Sequence, residues 1–342
     1  MAQRKPNFEN LLKVCRRECP ERPVLFELFM NMSLYKTVNG RNPDGEDKLS
    51  VARFTAEAFD RMGYDYCTLH ASDFGFAANA RPREKSVSLN EGMVITDWES
   101  FEKYKWAEPE NYDDSTLGKM KDYLPDGMKI MVMGPGGVLE NVITLTGYDN
   151  LCFMLYEEPE LVQIIFDHVG ERLVRYYESA LQYDTVGLIS SNDDWGFNTQ
   201  TFLSPAQMRK YVFPWHKKIV DTVHKAGRPV FLHSCGNMRD VIDDIVTMGY
   251  DAKHSYEDVI LPIEDAYEAW HDRIALFGGI DVNYLCTRTP EEVRNRTRAM
   301  LERVNGRGGW AVGSGNSIPE YIPLPQYFAM IEAANESGIR FG

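Results

Sequence analysis

The tetrapeptide His233-Ser234-Cys235-Gly236 carries two side chains that readily bind a transition metal. It closes a short apolar run, Pro229–Leu232, which is typical of a buried parallel strand. Because side chains alternate along a strand, the imidazole and the thiol are expected to point to the same side. A histidine nitrogen and a cysteine sulfur together suit Zn²⁺. The pattern therefore predicts a zinc site at the carboxyl end of a strand.

A histidine and a cysteine alone supply too few ligands, because protein zinc sites use three or four. The next strand-like segment, Ala252–Tyr256, is followed by Glu257. Adjacent parallel strands lie about 4.8 Å apart, so this carboxylate is the predicted third ligand. A fourth position would stay open for substrate. The alternative is a buried thiol beside a hydrogen-bonded histidine with no metal, and the sequence leaves both interpretations open.

A second group of polar residues, Asn192-Asp193-Asp194-Trp195-Gly196, follows another apolar run. Asp193 and Asp194 are predicted catalytic residues, since adjacent carboxylates can orient a substrate or donate a proton to a leaving group. Trp195 is predicted to form a wall of the substrate site. The alternative is a solvated turn that caps the following helix.

The elements that must position these residues alternate between apolar strands and amphipathic helices. The predicted strands are Val24–Phe29, Tyr66–His70, Ile130–Gly134, Val186–Asn192, Pro229–Cys235, Ala252–Tyr256, Ile274–Asp281 and Trp310–Gly315. The clearest predicted helices are Leu49–Met62, Pro159–Leu181, Pro205–Ala226, Pro290–Val304 and Pro325–Ala334. Eight strands with intervening helices predict an α/β protein with a (β/α)₈ TIM barrel. The rival, an open doubly wound sheet, would normally have a glycine-rich turn after its first strand, where this chain has Asn31-Met32-Ser33.

The domain organisation follows from the same pattern. We expect one TIM-barrel domain over residues 1–342, with an N-terminal helical extension at about 1–22 and an insertion at about 72–128 after the second strand. The insertion contains several aromatic residues, which either cover the site or serve ordinary packing.

A barrel places its functional side chains at the carboxyl ends of its strands. The polar residues at those ends are Glu27, His70, Asp193, Asp194, His233, Cys235, His254, Tyr256, Glu257, Asp281, Ser314 and Asn316. Of these, Glu27, His70 and Asn316 are predicted to bind substrate, and Tyr256 is predicted to act in catalysis. A core histidine is the alternative for His70, and a turn anchor is the alternative for Asp281.

Composition excludes several function classes. The chain has 342 residues, 44% of them hydrophobic, and a formal net charge of −14, which argues against nucleic acid or an anionic membrane as partner. No apolar run approaches the roughly 18 residues of a membrane span, and the first residues lack the apolar stretch of a signal peptide. The six cysteines are irregularly spaced and do not resemble a disulfide framework. We therefore expect a cytoplasmic protein, with a homodimer as the common state of such barrels.

Several of these blocks resemble the uroporphyrinogen decarboxylase superfamily. They are Asn192–Gly196, Leu203–Pro205, Phe213–Pro214, His233–Asn237, Phe277–Val282 and Thr289–Val293. The resemblance implies a (β/α)₈ barrel and one of two chemistries. True uroporphyrinogen decarboxylases bind substrate carboxylates with an arginine-rich loop, but the matching stretch here, Pro23–Met32, has no arginine and presents Glu27. A polyanionic porphyrinogen would be repelled there.

The other branch of the superfamily comprises corrinoid and coenzyme M methyltransferases, which this chain resembles more closely. The resemblance implies zinc held by His233 and Cys235, and the interval to Glu257 is similar to that of the zinc ligands in cobalamin-independent methionine synthase. The family's last cysteine would fall within Gly313–Ile318, where this chain has none. The implied function is zinc-assisted transfer of a methyl group from a small O-, N- or S-methyl substrate to a corrinoid protein. The alternative is a metal-free decarboxylase or lyase acting on a small carboxylate or tetrapyrrole.

Overall fold

The computed structural model describes residues 4–78 and 89–336 and contains a parallel sheet of seven strands in sequential order. The strands are β1 (Tyr66–His70), β2 (Lys129–Met133), β3 (Val186–Asn192), β4 (Val230–His233), β5 (Ala252–His254), β6 (Ala275–Phe277) and β7 (Trp310–Ala311). Seven of the eight predicted strands are thus confirmed, and most end earlier than predicted. After β6, for example, Gly278 and Gly279 adopt φ values of 67° and 112°, which end the extended backbone.

The eighth predicted strand, Val24–Phe29, forms an isolated parallel bridge between Leu25 and Val312 instead of a strand. The Phe26 N–H donates to the carbonyl oxygen of Val312 at 2.7 Å. On the other side, the Tyr66 hydroxyl of β1 contacts both the backbone N–H and the carbonyl oxygen of Glu27, at 2.7 and 2.6 Å. Both edge strands of the sheet are therefore tied to this one segment.

The helices separate the strands as the amphipathic pattern predicted. They are α1 (Glu9–Cys15), α2 (Met32–Asn39), α3 (Lys48–Met62), α4 (Trp98–Lys103), α5 (Ser115–Lys119), α6 (Val138–Thr146), α7 (Tyr148–Glu157), α8 (Pro159–Ala180), α9 (Pro205–Gln207), α10 (Phe213–Lys225), α11 (Ile242–Met248), α12 (Ile263–Trp270), α13 (Val282–Thr287), α14 (Pro290–Val304) and α15 (Leu324–Glu336). Short 3₁₀ turns cover Pro109–Asn111, Met120–Asp122 and Arg239–Val241, and a π-helical turn over Met208–Val212 joins α9 to α10. None of the described helices combines the length and apolar character needed to cross a bilayer.

Aromatic side chains fill the interior of the sheet. The ring of Phe26 lies 5.2 Å from that of Phe231 and 4.4 Å from that of Phe277, and it meets the His254 imidazole edge-on at 5.1 Å. All four residues are fully buried. These closely packed rings surround the His254 side chain at the carboxyl end of β5 and restrict its movement.

The segment between β1 and β2 is where the sequence predicts an insertion, which stays a prediction, and residues 79–88 of it lie outside the described residues. Its aromatic side chains pack on α8: the Trp106 ring lies 4.6 Å from the His168 ring, and the Arg172 guanidinium lies 5.0 Å from the Trp106 ring. Trp106 of this segment therefore packs against α8.

Candidate metal centre

The register of the sheet aligns the ends of three strands. Asn192 of β3 pairs with His233 of β4, which pairs with His254 of β5. Although β4 ends at His233, Cys235 returns to the same side because its N–H donates to the Asp194 Oδ1 at 2.8 Å. The turn continues through Gly236 at φ 96°, where a Cβ would lie 2.3 Å from the carbonyl oxygen of Gly196. A side chain at position 236 is therefore excluded twice, by the clash and by the backbone conformation.

The side chains of Asp194, His233 and Cys235, here called the donor group, converge so that one ligand atom of each lies within 4.8 Å of the others. The His233 Nε2 lies 3.8 Å from the Asp194 Oδ1 and 3.8 Å from the Cys235 Sγ. Nitrogen, oxygen and sulfur donors at such spacing match the chemistry of a zinc site. Among the described residues, it is the one group of three or more histidine, cysteine, aspartate or glutamate side chains spaced closely enough to share a metal ion.

The surroundings of the donor group control its ionisation. Burial lowers the pKa of His233 to about 4, so its imidazole is neutral at physiological pH. Burial, reinforced by the Asp194 carboxylate, raises the pKa of the Cys235 thiol far above its usual value. In the opposite sense, the Asn316 side-chain amide donates to the Cys235 Sγ at 3.2 Å, which favours a thiolate once a cation is present.

A second layer of hydrogen bonds lies behind the donor group. The His233 and His254 Nδ1 atoms are 2.9 Å apart, and the His254 Nε2 is 3.2 Å from the Ser314 carbonyl oxygen. The backbone N–H of Ser314 donates to the Glu27 Oε1 at 2.8 Å, and the hydroxyl of Ser314 lies 2.6 Å from the Glu27 Oε2. Glu27, predicted to bind substrate, therefore lies fully buried in this layer and contacts Ser314.

Glu27 makes the stability of the fold depend on pH. Burial raises the pKa of Glu27 to about 8 from an ordinary value of 4.5. Between these pH values the folded chain holds a proton that the unfolded chain releases, so this group's contribution to stability falls as pH rises. The side chain of the Glu27→Gln variant cannot ionise, so its stability lacks this pH dependence. We therefore expect the free energy of unfolding of the variant, minus that of the parent, to increase from about pH 5 to about pH 8.5. Each pH unit by which the folded-state pKa of Glu27 exceeds its ordinary value contributes about 1.4 kcal/mol to this increase.

Urea unfolding at the two pH values measures this difference. The exposed Glu302→Gln is a matched control that should follow the parent at both. A pH-independent effect of Glu27→Gln would show that the carboxyl is ionised in the folded protein.

The structure separates the two adjacent aspartates. The Asp193 side chain is fully buried and accepts hydrogen bonds from the backbone N–H groups of Leu139 and Glu140, both at 2.9 Å, at the start of α6. Its Oδ2 also accepts the Trp195 indole N–H at 2.9 Å and lies 2.8 Å from the His216 Nε2. Asp193 therefore caps the start of α6 from a buried position, and its catalytic role stays a prediction.

Trp195 shares this buried position. Its side chain has no exposed surface and packs edge-on against the His216 ring at 4.9 Å. The close approach of the neighbouring Asp193 to the start of α6 requires glycine at position 137, because a Cβ there would lie 2.0 Å from the Asp193 Cβ. Trp195 is thus packed in the core, and the predicted substrate-wall role stays a prediction.

A cavity of about 650 Å³ lies on the far side of Asn316 from the Cys235 sulfur, and none of the three donor-group residues lines it. Its walls include Tyr256, Glu257 and Asn316, so the residue that contacts the Cys235 sulfur also faces the cavity. Glu257 does not join the donor group; the structure brings Asp194 to the position predicted for it. Burial and the Asp281 carboxylate raise the pKa of Glu257. The Tyr256 hydroxyl donates to the Lys253 carbonyl oxygen at 3.3 Å.

His70, the remaining predicted site residue, lines a separate cavity with Lys48 and Asp73. Sequence reasoning also missed residues that the structure places near the site. Glu140 lies beside both aspartates, where burial and their charges raise its pKa to about 8. In the sequence, Glu140 could have been found from its position three residues after Gly137, where it caps the start of α6. His216 could have been found as a lone histidine on the apolar face of α10.

Comparison with known proteins places this architecture. Residues 88–337 match the family model of uroporphyrinogen decarboxylase (URO-D), which is more than half of the chain. The chain belongs to the uroporphyrinogen decarboxylase family. A uroporphyrinogen decarboxylase from Methylococcus capsulatus is 26% identical over 186 residues, 54% of this chain and 51% of that protein. One from Prochlorococcus marinus is 22% identical over 325 residues, 87% of this chain and 88% of that protein.

The alignment to the Methylococcus relative thus spans about half of its length. Among solved structures, a methyltransferase from Methanosarcina mazei superposes with a TM-score of 0.70 over 96% of this chain and 98% of that one, at 14% sequence identity. At this identity the likeness shows the fold. The URO-D family fold is therefore shared by proteins named for two different chemistries.

Proposed function

We propose that the protein is a zinc-assisted methyltransferase that moves a methyl group from a small O-, N- or S-methyl substrate to a corrinoid protein or cobalamin. The observation that supports this most directly is the convergence of Asp194, His233 and Cys235 at the carboxyl end of a parallel sheet. Enzymes built on such sheets place their chemistry at this end.

The donor group fits zinc. With metal–ligand bonds of about 2.0–2.3 Å, two donors of one tetrahedral ion lie roughly 3.4–3.6 Å apart. The two separations from the His233 Nε2 are both 3.8 Å, a few tenths of an ångström longer than that, and all three ligand atoms lie within 4.8 Å of one another. Asp194, His233 and Cys235 would hold the ion, and three protein ligands would leave one position of a tetrahedral ion open for substrate.

A zinc ion held there would act as a Lewis acid on the heteroatom that releases the methyl group. The protein's own residues prepare this step. The Asn316 amide holds the Cys235 sulfur by a hydrogen bond, and Asp194 supplies a carboxylate whose Oδ1 already accepts the Cys235 N–H. Glu257, a half-buried carboxyl group with a raised pKa, faces the cavity that Asn316 also lines and is placed to donate a proton to the leaving group.

Methyl transfer should depend on a corrinoid acceptor. We expect reduced cobalamin to gain a methyl group from a panel of small O-, N- and S-methyl compounds when the zinc-loaded protein is present, followed by the absorbance of methylcobalamin. His233→Ala should abolish the transfer. Demethylation at the same rate with water or a simple thiol as the acceptor would contradict the proposal.

The rival function is a metal-free decarboxylase or lyase, which the names of the curated relatives favour. The absence of arginine from Pro23–Met32 weakens this alternative for a polyanionic substrate. Carbon dioxide release that persists after treatment with a chelator would support the rival and refute the metal-dependent function.

A further inference from the structure

Two buried imidazoles, those of His233 and His254, face each other across neighbouring strands. Their Nδ1 atoms lie 2.9 Å apart, a hydrogen-bond distance, and the far side of His254 meets the Ser314 carbonyl oxygen at 3.2 Å. His254 has no exposed surface, and its ring is held edge-on against Phe26. This arrangement fixes where the protons must be.

A carbonyl oxygen only accepts hydrogen bonds, so the His254 Nε2 must carry a proton. A neutral imidazole carries one proton, which leaves the His254 Nδ1 as an acceptor. The proton between the two rings therefore belongs to the His233 Nδ1. The other arrangement would make His254 a cation in a fully buried position, where an unpaired charge is strongly disfavoured.

With its proton on Nδ1, the His233 ring presents an unprotonated Nε2 to the Cys235 sulfur and the Asp194 carboxylate, each 3.8 Å away. We propose that His254 is a positioning residue that selects this tautomer of His233 and so keeps its Nε2 available as a metal ligand. The metal-binding consequence rests on the proposed function, whereas the tautomer does not.

The selection matters because the alternative tautomer has its own partners. If no acceptor faced the His233 Nδ1, the proton would favour Nε2, where the carboxylate of Asp194 and the sulfur of Cys235 both accept hydrogen bonds. A proton at that atom would occupy the position that the metal needs. The acceptor provided by His254 prevents this competition.

The first experiment uses the metal-free full-length protein labelled with ¹⁵N at its histidine rings, of which the chain has seven. Signals of His233 are assigned by their loss in His233→Gln. Long-range ¹H–¹⁵N correlation spectra report directly which ring nitrogen is protonated. We expect protonated Nδ1 and unprotonated Nε2 for His233, and a protonated Nε2 in the parent protein would overturn the proposal.

The second experiment compares substitutions of His254. His254→Leu removes the acceptor, so the His233 proton should move to Nε2 and zinc affinity, measured by competition with a chelator, should fall about 10–100-fold. His254→Asn supplies an amide oxygen in place of the Nδ1 and should restore most of the affinity. His224→Leu, at a partly exposed histidine of α10, is the matched control and should bind zinc like the parent.

Equal zinc affinity of the Leu and Asn variants would show that His254 serves packing alone and would overturn the proposal. The proposed function fails separately: a parent that binds no zinc but shows the Nδ1–H tautomer of His233 would refute the metal-dependent activity and leave the positioning role of His254 supported.

Discussion

Cys235→Ala is expected to remove stoichiometric zinc from the purified protein and to abolish methyl transfer. The sulfur is the softest donor of the group, and its loss leaves His233 and Asp194, which are too few for a stable site. We expect zinc affinity to fall by more than the roughly 100-fold that follows loss of a residue behind a ligand. Elemental analysis after equilibration with a weak chelator measures the bound metal.

Cys286→Ala is the matched control, because this free cysteine is also partly buried but lies in α13. It should retain the metal content of the parent. Equal zinc in the Cys235→Ala variant and the parent would remove the thiol from the ligand set. The zinc-dependent mechanism would then lose its principal support.

Alanine substitution of Asp193 is expected to reduce the stability of the fold, whereas alanine substitution of Asp194 is expected to reduce zinc binding. Asp193→Ala leaves several buried donors without their acceptor, including the first-turn N–H groups of α6. Removal of one partner from such a buried network costs about 3–5 kcal/mol of unfolding free energy. Asp194→Ala removes one hydrogen bond to the Cys235 N–H, which costs about 1 kcal/mol, but it also removes a donor for zinc.

Urea unfolding and zinc titration on both variants separate these roles. Asp193→Ala should shift the unfolding midpoint strongly while its folded fraction still binds zinc. Asp194→Ala should unfold near the parent midpoint and bind zinc weakly. A stable Asp193→Ala protein with normal zinc binding and no turnover would contradict the structural role and support the predicted catalytic role of Asp193.

Much of the fold follows from local patterns. Short apolar runs identified seven strands of the sheet because a strand covered on both faces has apolar residues at nearly every position. The predicted start of α14 at Pro290 is confirmed, and the structure shows a capping box of Thr289 and Glu292 there, which depends only on residues close together in the chain. Val24–Phe29 has the composition of a strand, but only the tertiary pairing decides how many of its residues join the ladder.

The candidate site divides in the same way. The sequence by itself determined that a histidine and a cysteine follow one strand and that carboxylates follow its neighbours, because the order of residues along a strand sets which side chains reach its end. Only the tertiary structure decided which carboxylate approaches them. Asp194 does so because its Oδ1 accepts the Cys235 N–H, whereas Glu257 faces the cavity beyond Asn316. The alignment of His233 with His254 likewise depends on the register between two strands, which brings together side chains 21 positions apart in the chain.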